Sequence, residues 1–221
     1  CPDRAGAIAP HYTCPMTLAA PALPRKRLPI GIQNLREIRE QGHYYVDKSG
    51  LAIDLIGSGK YFFLSRPRRF GKSLLVDTLK ELFEGNRALF AGLAAESCWD
   101  WSRRYPVIRI SFGGGVASNA QELDYRIQNN LRSNRAALGL PLPADLPVGD
   151  VAGNLASLIE QAHLHYGQPV VVLVDEYDKP ILDNLTEPDA ARAMRERLKN
   201  LYMALKESDP YLKFVFLTGV S

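Results

Sequence analysis

One stretch of sequence decides the fold: Phe62-Phe63-Leu64-Ser65-Arg66-Pro67-Arg68-Arg69-Phe70-Gly71-Lys72-Ser73. It predicts a buried strand, a tight loop and then the start of a helix. The last three residues complete the phosphate-binding pattern G-x-x-x-x-G-K-[ST], with Arg66 at the position of the first glycine. Backbone N–H groups, a cation and a helix N-terminus together bind a polyphosphate. The stretch therefore predicts a phosphate site.

Three residues of this loop have distinct expected roles. Gly71 lets the backbone approach a ligand closely. Lys72 is expected to reach the β- and γ-phosphates and to take part in catalysis, and the Ser73 hydroxyl to ligate Mg²⁺. Arg68 and Arg69 add positive charge, although either could instead face solvent or a partner. The residues expected to contact the nucleotide here are Arg66, Pro67, Arg68, Arg69, Phe70, Gly71, Lys72 and Ser73.

A second motif makes the prediction much stronger. The apolar residues 170–174 are followed by Asp175 and Glu176. Ligands of open α/β sheets bind at the carboxyl ends of the strands, so Asp175 is expected to hold Mg²⁺ there, directly or through a water. Glu176 could polarise the attacking water as a general base. Alone, the two acids could equally well cap a turn. With the P-loop, they predict an ATPase that uses ATP and Mg²⁺.

The fourth predicted strand supplies a further candidate. Residues 214–217 end at Thr218, whose hydroxyl could sense the γ-phosphate. A strand-end threonine that bonds its own turn is an equally good interpretation. Asp178 is interpreted as a turn or helix-start residue rather than as a second catalytic acid.

Strands alternate with helices along the chain, which predicts parallel β-α units. The strands are continuously apolar, as expected when helices cover both faces of the sheet. The predicted class is an α/β P-loop NTPase with a mostly parallel sheet between helices. One recognisable strand separates the two motif strands in sequence, which favours the branch that has an additional strand between them. Strands are predicted at 61–65, 107–112, 170–174 and 214–217, and helices at 33–40, 48–56, 72–83, 120–138, 151–166 and 189–206.

Composition sets the broad class. The 221 residues are 46% hydrophobic and 23% charged, which is ordinary for a soluble globular protein. The net charge of +3 is too small to predict nucleic-acid binding by itself. The cysteines Cys1, Cys14 and Cys98 have no metal-ligand spacing, which favours a reduced, cytoplasmic protein. No apolar run reaches the roughly 18 residues of a membrane helix, so no membrane span is expected.

The chain divides into two unequal parts. Residues 1–27 are rich in proline, alanine and basic residues without hydrophobic periodicity, which predicts a disordered tail. The ATPase domain is expected over residues 28–221. Because the sequence stops directly after the fourth strand, we expect the natural protein to continue.

Four motifs together resemble the bacterial AAA-ATPase-like family. They are Tyr44-Tyr45-Val46-Asp47-Lys48-Ser49, Arg66-Pro67-Arg68-Arg69-Phe70-Gly71-Lys72-Ser73, Val174-Asp175-Glu176-Tyr177-Asp178-Lys179-Pro180 and Leu217-Thr218-Gly219-Val220-Ser221. The resemblance implies a P-loop ATPase domain of the Asp-Glu branch, in which Arg66 is the family's own variant. It also implies that Tyr45, Asp47 and Lys48 lie near the adenine. It further implies that a C-terminal domain resembling PD-(D/E)XK nucleases follows in full-length members.

Several functions are compatible with these motifs. The leading hypothesis is Mg²⁺-dependent ATP hydrolysis that drives or regulates the nuclease-like domain. A nucleotide-dependent switch with little turnover is the alternative, although such a switch would not need Glu176. A small-molecule kinase is disfavoured because the loop at 139–150 lacks arginine. Direct DNA binding and oligomer formation stay open, since the basic cluster at 25–27 is short and is better interpreted as a solvated tail.

Overall fold

The computed structural model describes residues 25–143, 147 and 149–220. Within them the strands form one four-stranded, entirely parallel sheet in the order β1-β4-β3-β2. The strands are β1 (Tyr61–Ser65), β2 (Val107–Ser111), β3 (Val170–Asp175) and β4 (Leu212–Gly219). The predicted α/β class with a parallel sheet between helices is confirmed.

The helices cover both faces of the sheet. They are α1 (Leu35–Glu40), α2 (Ser49–Ser58), α3 (Lys72–Phe83), α4 (Ala94–Cys98), α5 (Ala120–Ala137), α6 (Val151–Tyr166), α7 (Lys179–Leu182) and α8 (Pro188–Glu207). Arg87–Phe90 and Asp209–Tyr211 form short 3₁₀ turns. Helices α1 to α4 contribute buried side chains to one core cluster, and α5, α6 and α8 to the other. No helix in these described ranges has the length and apolar character needed to cross a membrane.

The central strand β3 shows why the sheet is buried on both faces. All of its apolar side chains are buried, and they alternate between the two cores. Val170, Val172 and Val174 pack with α5, α6 and α8, whereas Val171 and Leu173 pack on the side of α3. This alternation follows from the two-residue period of a strand. The continuous run of valine and leucine therefore contributes side chains to both cores.

The strand register brings the ends of the strands to one edge. Leu64 of β1 pairs with Thr218 of β4, and Ser111 of β2 pairs with Asp175 of β3. Strands β3 and β4 pair at Val174, so Asp175 and Thr218 follow side by side. Because all the strands are parallel, their carboxyl ends share this edge, which we call the upper rim.

The free edge of β2 is closed by side chains of α5. Asn134 accepts a hydrogen bond from the backbone N–H of Arg109 at 2.8 Å and donates to its carbonyl at 2.7 Å. One turn away, Asn130 accepts from the N–H of Ser111 at 3.1 Å. Residues four apart lie on one face of a helix, so the two asparagines act as a substitute strand. They satisfy backbone groups that would otherwise be open to another chain.

The structure differs most from the sequence prediction between the P-loop helix and β2. This region had no assigned structure, and it forms the 3₁₀ turn at 87–90 and helix α4. Trp99 packs edge-on against Phe83 with ring centroids 5.5 Å apart, and Trp101 lies 5.2 Å from Phe90. Both tryptophans therefore pack against the core on the side of α3. Most of the tail 1–27, which the sequence predicts to be disordered, lies outside the described residues.

A buried acid connects three elements below the P-loop. Oδ2 of Asp77 in α3 accepts from the N–H of Leu35 at 2.7 Å, and Oδ1 lies 2.9 Å from the guanidinium of Arg109. Burial raises the pKa of the Asp77 carboxyl even though both donors favour its charged form. The pair joins α1, α3 and β2, and it stabilises the position of the P-loop helix on the sheet.

We predict that Asp77→Ala lowers the free energy of unfolding by about 2–4 kcal/mol. The change removes the acceptor of a buried N–H and the counter-ion of Arg109. Urea unfolding measures the loss, and Asp54→Ala, at an exposed position of α2, is the matched control with an expected change within about 0.5 kcal/mol. Equal stability of the two variants would contradict the structural role of Asp77.

Candidate nucleotide-binding site

The P-loop turns from β1 into α3 through two residues in the left-handed region. Gly71, the N-cap of α3, has a φ of 75°, and Arg69 has a φ of 68°. Glycine adopts this conformation without a steric penalty, whereas arginine seldom does. The turn aims the first N–H groups of α3 at the upper rim, where they can bind an anion. Sequence reasoning predicted both the loop and the first residue of the helix.

Lys72 lies under the loop, with only 7% of the residue exposed. Its ammonium donates to the carbonyls of Arg66 at 2.8 Å and Pro67 at 3.0 Å. A lysine has three N–H donors, so one is left for a phosphate oxygen. The N–H of Arg66 donates to the carbonyl of Gly219 at 3.3 Å, which ties the loop to the end of β4. The loop is thus held from inside by Lys72 and from the side by β4.

The other loop residues differ in exposure. Ser73 is half-buried, and its hydroxyl makes no hydrogen bond within the described ranges of the chain. Arg68 and Arg69 are exposed, as is 67% of Phe70. Ser73 is therefore available as a ligand, and the charge of the two arginines surrounds the entrance to the loop.

The carboxylate motif is organised by one buried hydroxyl. Thr218 is fully buried, and its Oγ1 donates to Oδ1 of Asp175 at 2.6 Å. The same oxygen accepts from the backbone N–H of Glu176 at 3.1 Å. Asp175 is itself 4% exposed, and within the described part of the chain its Oδ2 has no hydrogen-bond partner. Thr218 thus fixes one oxygen of Asp175 and leaves the other for a ligand.

Glu176 stands in a conformation that few residues adopt. Its φ is 56°, which is uncommon for a residue other than glycine. The N–H of Tyr177 donates to the carbonyl of Thr218 at 2.8 Å, and with the Thr218 hydroxyl it holds the turn. Strained backbone of this kind often occurs at functional sites. The half-buried side chain of Glu176 is directed toward Gly113, which follows β2.

The two motifs occupy the same rim of the sheet. Strand β4 separates β1 from β3, so the P-loop strand and the Asp175 strand are two strand spacings apart, or about 10 Å. A triphosphate and its cation can bridge such a gap, whereas acids on the opposite rim could not take part. The structure brings together at the upper rim Lys72, Ser73, Asp175, Glu176 and Thr218.

An apolar cleft of about 360 Å³ adjoins the P-loop. It is lined by residues of the segment before α2, of β1 and of the loop and helix that follow β1. The lining residues are Leu28, Pro29, Tyr44, Tyr45, Val46, Lys48, Leu64, Phe70, Gly71, Lys72, Leu74 and Leu75. Burial raises the pKa of the Tyr45 hydroxyl, which keeps this ring neutral. The cleft has the size and apolar character that suit a nucleotide base.

Asp47 has a different position from Tyr45. Its carboxylate accepts from the N–H of Ala94 at 2.7 Å and from the N–H and hydroxyl of Ser49 at 2.8 and 2.7 Å. Burial alone would raise the pKa of Asp47, but these hydrogen bonds outweigh it and leave the pKa below its ordinary value. Asp47 therefore connects the starts of α2 and α4, and its contact with a nucleotide stays a prediction.

Asp178 is the N-cap residue of α7, which confirms its interpretation as a helix-start residue. Its Oδ2 also accepts from the N–H of Val220 at 2.7 Å. A Cβ on Gly219 would lie 3.0 Å from that carboxylate and 2.8 Å from the ring of Phe63. The glycine is thus required by the close packing at the end of β4. No sequence signal pointed to this second contact of Asp178.

The acids and histidines of residues 25–143, 147 and 149–220 include no group of three or more that could hold a metal ion. A site made wholly of protein carboxylates is therefore not present in those ranges. Mg²⁺ commonly takes one or two protein ligands and completes its shell with waters and substrate phosphates. Ser73 and Asp175 lie at the same rim of the sheet and carry one hydroxyl and one carboxylate, a number of protein groups compatible with that mode.

The sequence of the chain matches the model of a known protein family. The family model described as AAA-ATPase-like, "Predicted AAA-ATPase", matches residues 29–221. The chain belongs to the AAA-ATPase-like family. The match covers all four motifs from which the resemblance was drawn, so that recognition is confirmed. Membership associates the chain with ATP binding.

One relative of this AAA-ATPase-like protein is 55% identical over 198 residues. It is named "Uncharacterized protein in vnfD 5'region" and comes from Azotobacter chroococcum mcd 1. The alignment covers 89% of this chain and 38% of the relative, so the chain spans less than half of that protein's length. No solved structure matches the chain.

We predict that Thr218→Val lowers the free energy of unfolding by about 1–3 kcal/mol, because valine fills the same space but leaves the Glu176 N–H without an acceptor. Thermal or urea unfolding measures the change. Thr218→Ser keeps the hydroxyl and is the matched control, with a smaller expected loss. If the serine and valine variants lose stability equally, the hydroxyl does not organise the carboxylate motif.

Proposed function

We propose that this domain binds ATP together with Mg²⁺ and hydrolyses the β–γ anhydride. The observation that carries the proposal is the shared rim: Lys72 and Ser73 begin α3 beside β1, and Asp175 and Glu176 end β3 two strands away. Family membership supports ATP as the nucleotide. We also assign the domain to the additional-strand branch, because β4 lies between the two motif strands.

Backbone and side-chain groups of the chain would together bind the phosphates. The backbone N–H groups at the start of α3 donate to the phosphate oxygens, and the positive end of the helix dipole favours the anion. The remaining N–H of the Lys72 ammonium donates to a β- or γ-phosphate oxygen. Arg68 and Arg69 lie at the entrance and attract the nucleotide electrostatically.

The donor set fits Mg²⁺. The Ser73 hydroxyl and Oδ2 of Asp175 are oxygen ligands, and neither makes a hydrogen bond within the described residues. When bound, Mg²⁺ neutralises the charge that develops on the phosphate oxygens. Thr218 orients Asp175 for this task through the hydrogen bond of 2.6 Å.

Glu176 is the proposed general base. It accepts a proton from a water whose oxygen attacks the γ-phosphorus, while the bond from that phosphorus to the bridging oxygen breaks and ADP leaves. Thr218 holds the backbone of Glu176 through the N–H contact of 3.1 Å. Its hydroxyl therefore couples the metal ligand and the base, and this coupling is the role that we propose in place of direct γ-phosphate contact.

The adenine would occupy the apolar cleft beside the P-loop. The exposed ring of Phe70 and the half-buried ring of Tyr45 both line the cleft. Aromatic faces of this kind stack on a base, and they favour no particular edge of it. We accordingly propose contact with the base for Tyr45.

The consequence of hydrolysis is a separate proposal. We propose that it drives or regulates a C-terminal nuclease-like domain, as the family resemblance implies. The curated relative is much longer than the aligned region, which leaves room for a second domain in that protein. Oligomer formation and contact with DNA belong to the same proposal, since they concern the whole protein.

We predict that Lys72→Ala weakens ATP binding about 10- to 100-fold, because a charge-assisted hydrogen bond contributes about 1.5–3 kcal/mol. Titration of a fluorescent ATP analogue measures the dissociation constant in the presence of Mg²⁺. Lys199→Ala, at an exposed position of α8, is the matched control. Unchanged affinity in the Lys72 variant would exclude this loop as the phosphate site.

We predict that Glu176→Gln lowers the turnover number at least about 100-fold, because the amide cannot accept the proton. The affinity for ATP should stay within about twofold, since the amide preserves shape and hydrogen bonding. Glu160→Gln, at an exposed position of α6, controls for the lost charge. If the wild-type protein shows no turnover above background with or without DNA, the domain is a nucleotide-dependent switch instead.

A further inference from the structure

The loop that follows β2 covers the carboxylate of Glu176. After the buried Phe112 it contains three successive exposed glycines, Gly113, Gly114 and Gly115. A Cβ on Gly113 would lie 3.2 Å from Oε2 of Glu176, so the backbone of this glycine faces the carboxylate at close range. A side chain there would push against the proposed base. A methyl group at this position would require the Glu176 carboxylate to move by a few tenths of an ångström.

The loop is held by Arg126, which lies on α5 outside all four motifs. One guanidinium nitrogen donates to the carbonyl of Gly114, and the other donates to the carbonyl of Val116 at 2.6 Å. A Cβ on Gly115 would lie 3.1 Å from the guanidinium, so the planar group passes directly beside that glycine. Two carbonyls on either side of one residue match the fixed fork of an arginine.

Lys179 of helix α7 and Asn184, which follows that helix, also contact the loop. The ammonium of Lys179 donates to the carbonyl of Gly115 at 3.0 Å and pairs with Asp183. Asn184 donates to the carbonyl of Ala117 at 2.8 Å. The N–H of Lys179 also donates to the carbonyl of Glu176 at 3.0 Å. The loop and the base are therefore fixed by the same short helix.

Arg126 continues the polar row that closes the edge of β2. It stands four residues before Asn130 and eight before Asn134, on the same face of α5. The side chain of Asn130 donates to the carbonyl of Arg126 at 2.9 Å. The row extends from the middle of β2 to the loop that touches Glu176. These hydrogen bonds fix the position of Arg126 relative to the loop.

We propose that Arg126 is a positioning residue for Glu176, which it acts on through the glycine loop. Three successive glycines have little conformational preference of their own. Ordering them requires a stabilising contact, and the doubly bonded guanidinium provides one. With the loop fixed, Gly113 limits the positions that the Glu176 carboxylate can take. Arg126 should therefore affect turnover and leave nucleotide affinity unchanged. This inference rests on the proposed hydrolysis by Glu176.

Arg126→Gln in the full natural protein tests the inference. We expect the turnover number to fall about tenfold, as is common when a group that orients a catalytic residue is lost, while the ATP dissociation constant stays within about twofold. Arg132→Gln, at an exposed position of the same helix, is the matched control and should keep wild-type turnover. Arg126→Lys should give an intermediate loss, because an ammonium cannot bond both carbonyls in the same geometry.

A double variant separates positioning from general destabilisation. In a Glu176→Gln background, Arg126→Gln should produce no further loss of turnover, because the residue through which it acts is already disabled. If Arg126→Gln does not fold, Gly113→Ala tests independently whether the loop positions Glu176. Its added methyl displaces the Glu176 carboxylate, so turnover should fall with ATP affinity unchanged.

The outcomes distinguish this inference from the proposed function. If the wild type turns over and Glu176→Gln abolishes turnover, but Arg126→Gln equals Arg132→Gln, the positioning role alone is overturned. An equal further loss in the Glu176→Gln background overturns it as well. If the wild type does not hydrolyse ATP, the inference fails together with the proposed function.

Discussion

The parallel register of the sheet is the constraint on which the rest of the structure depends. It places Leu64, Thr218, Asp175 and Ser111 in one row, at the carboxyl ends of four strands. A shift of one residue in β3 would turn Asp175 from the rim and would exchange its apolar side chains between the two cores. The register is thus specified by burial, and the chemistry at the rim follows from it. Both cores must be packed correctly before the motifs can meet.

On this sheet, buried hydrogen bonds fix the positions of the motif residues. The Thr218 hydroxyl has no exposure to water and joins the tips of β3 and β4 through Asp175 and Glu176. A buried polar group that is satisfied in this way fixes a unique arrangement, whereas the loss of one partner leaves the other costly to bury. The left-handed conformation of Glu176 occurs at one of these contacts, where its N–H donates to Thr218. The hydrogen bond from the Glu176 N–H to the Thr218 hydroxyl thus stabilises the strained backbone of Glu176.

The sequence alone predicts the bounds of a strand or helix where the local signals are strong. The bounds of β1 at 61–65, α3 at 72–83 and α6 at 151–166 agree with the structure, because apolar runs and helix periodicity end there at glycines or polar loops. The rim position of the acids also followed from their place after an apolar strand. Contacts between distant segments left no such signal: the capping by Asp47 and the cover over Glu176 arise from packing of residues about 45 to 65 positions apart. The ligand roles of the site residues stay predictions, since geometry alone does not measure binding.

The most direct test of the account is a crystal structure of the protein with a non-hydrolysable ATP analogue and Mn²⁺, whose anomalous scattering locates the cation. We expect triphosphate oxygens against the N–H groups that begin α3, and the cation bound directly to the Ser73 hydroxyl as in a Mg²⁺ site, at about 2.1 Å. The carboxylate of Asp175 would lie in its inner or outer shell. An analogue bound elsewhere, or a cation more than one water away from both Ser73 and Asp175, would contradict the shared site.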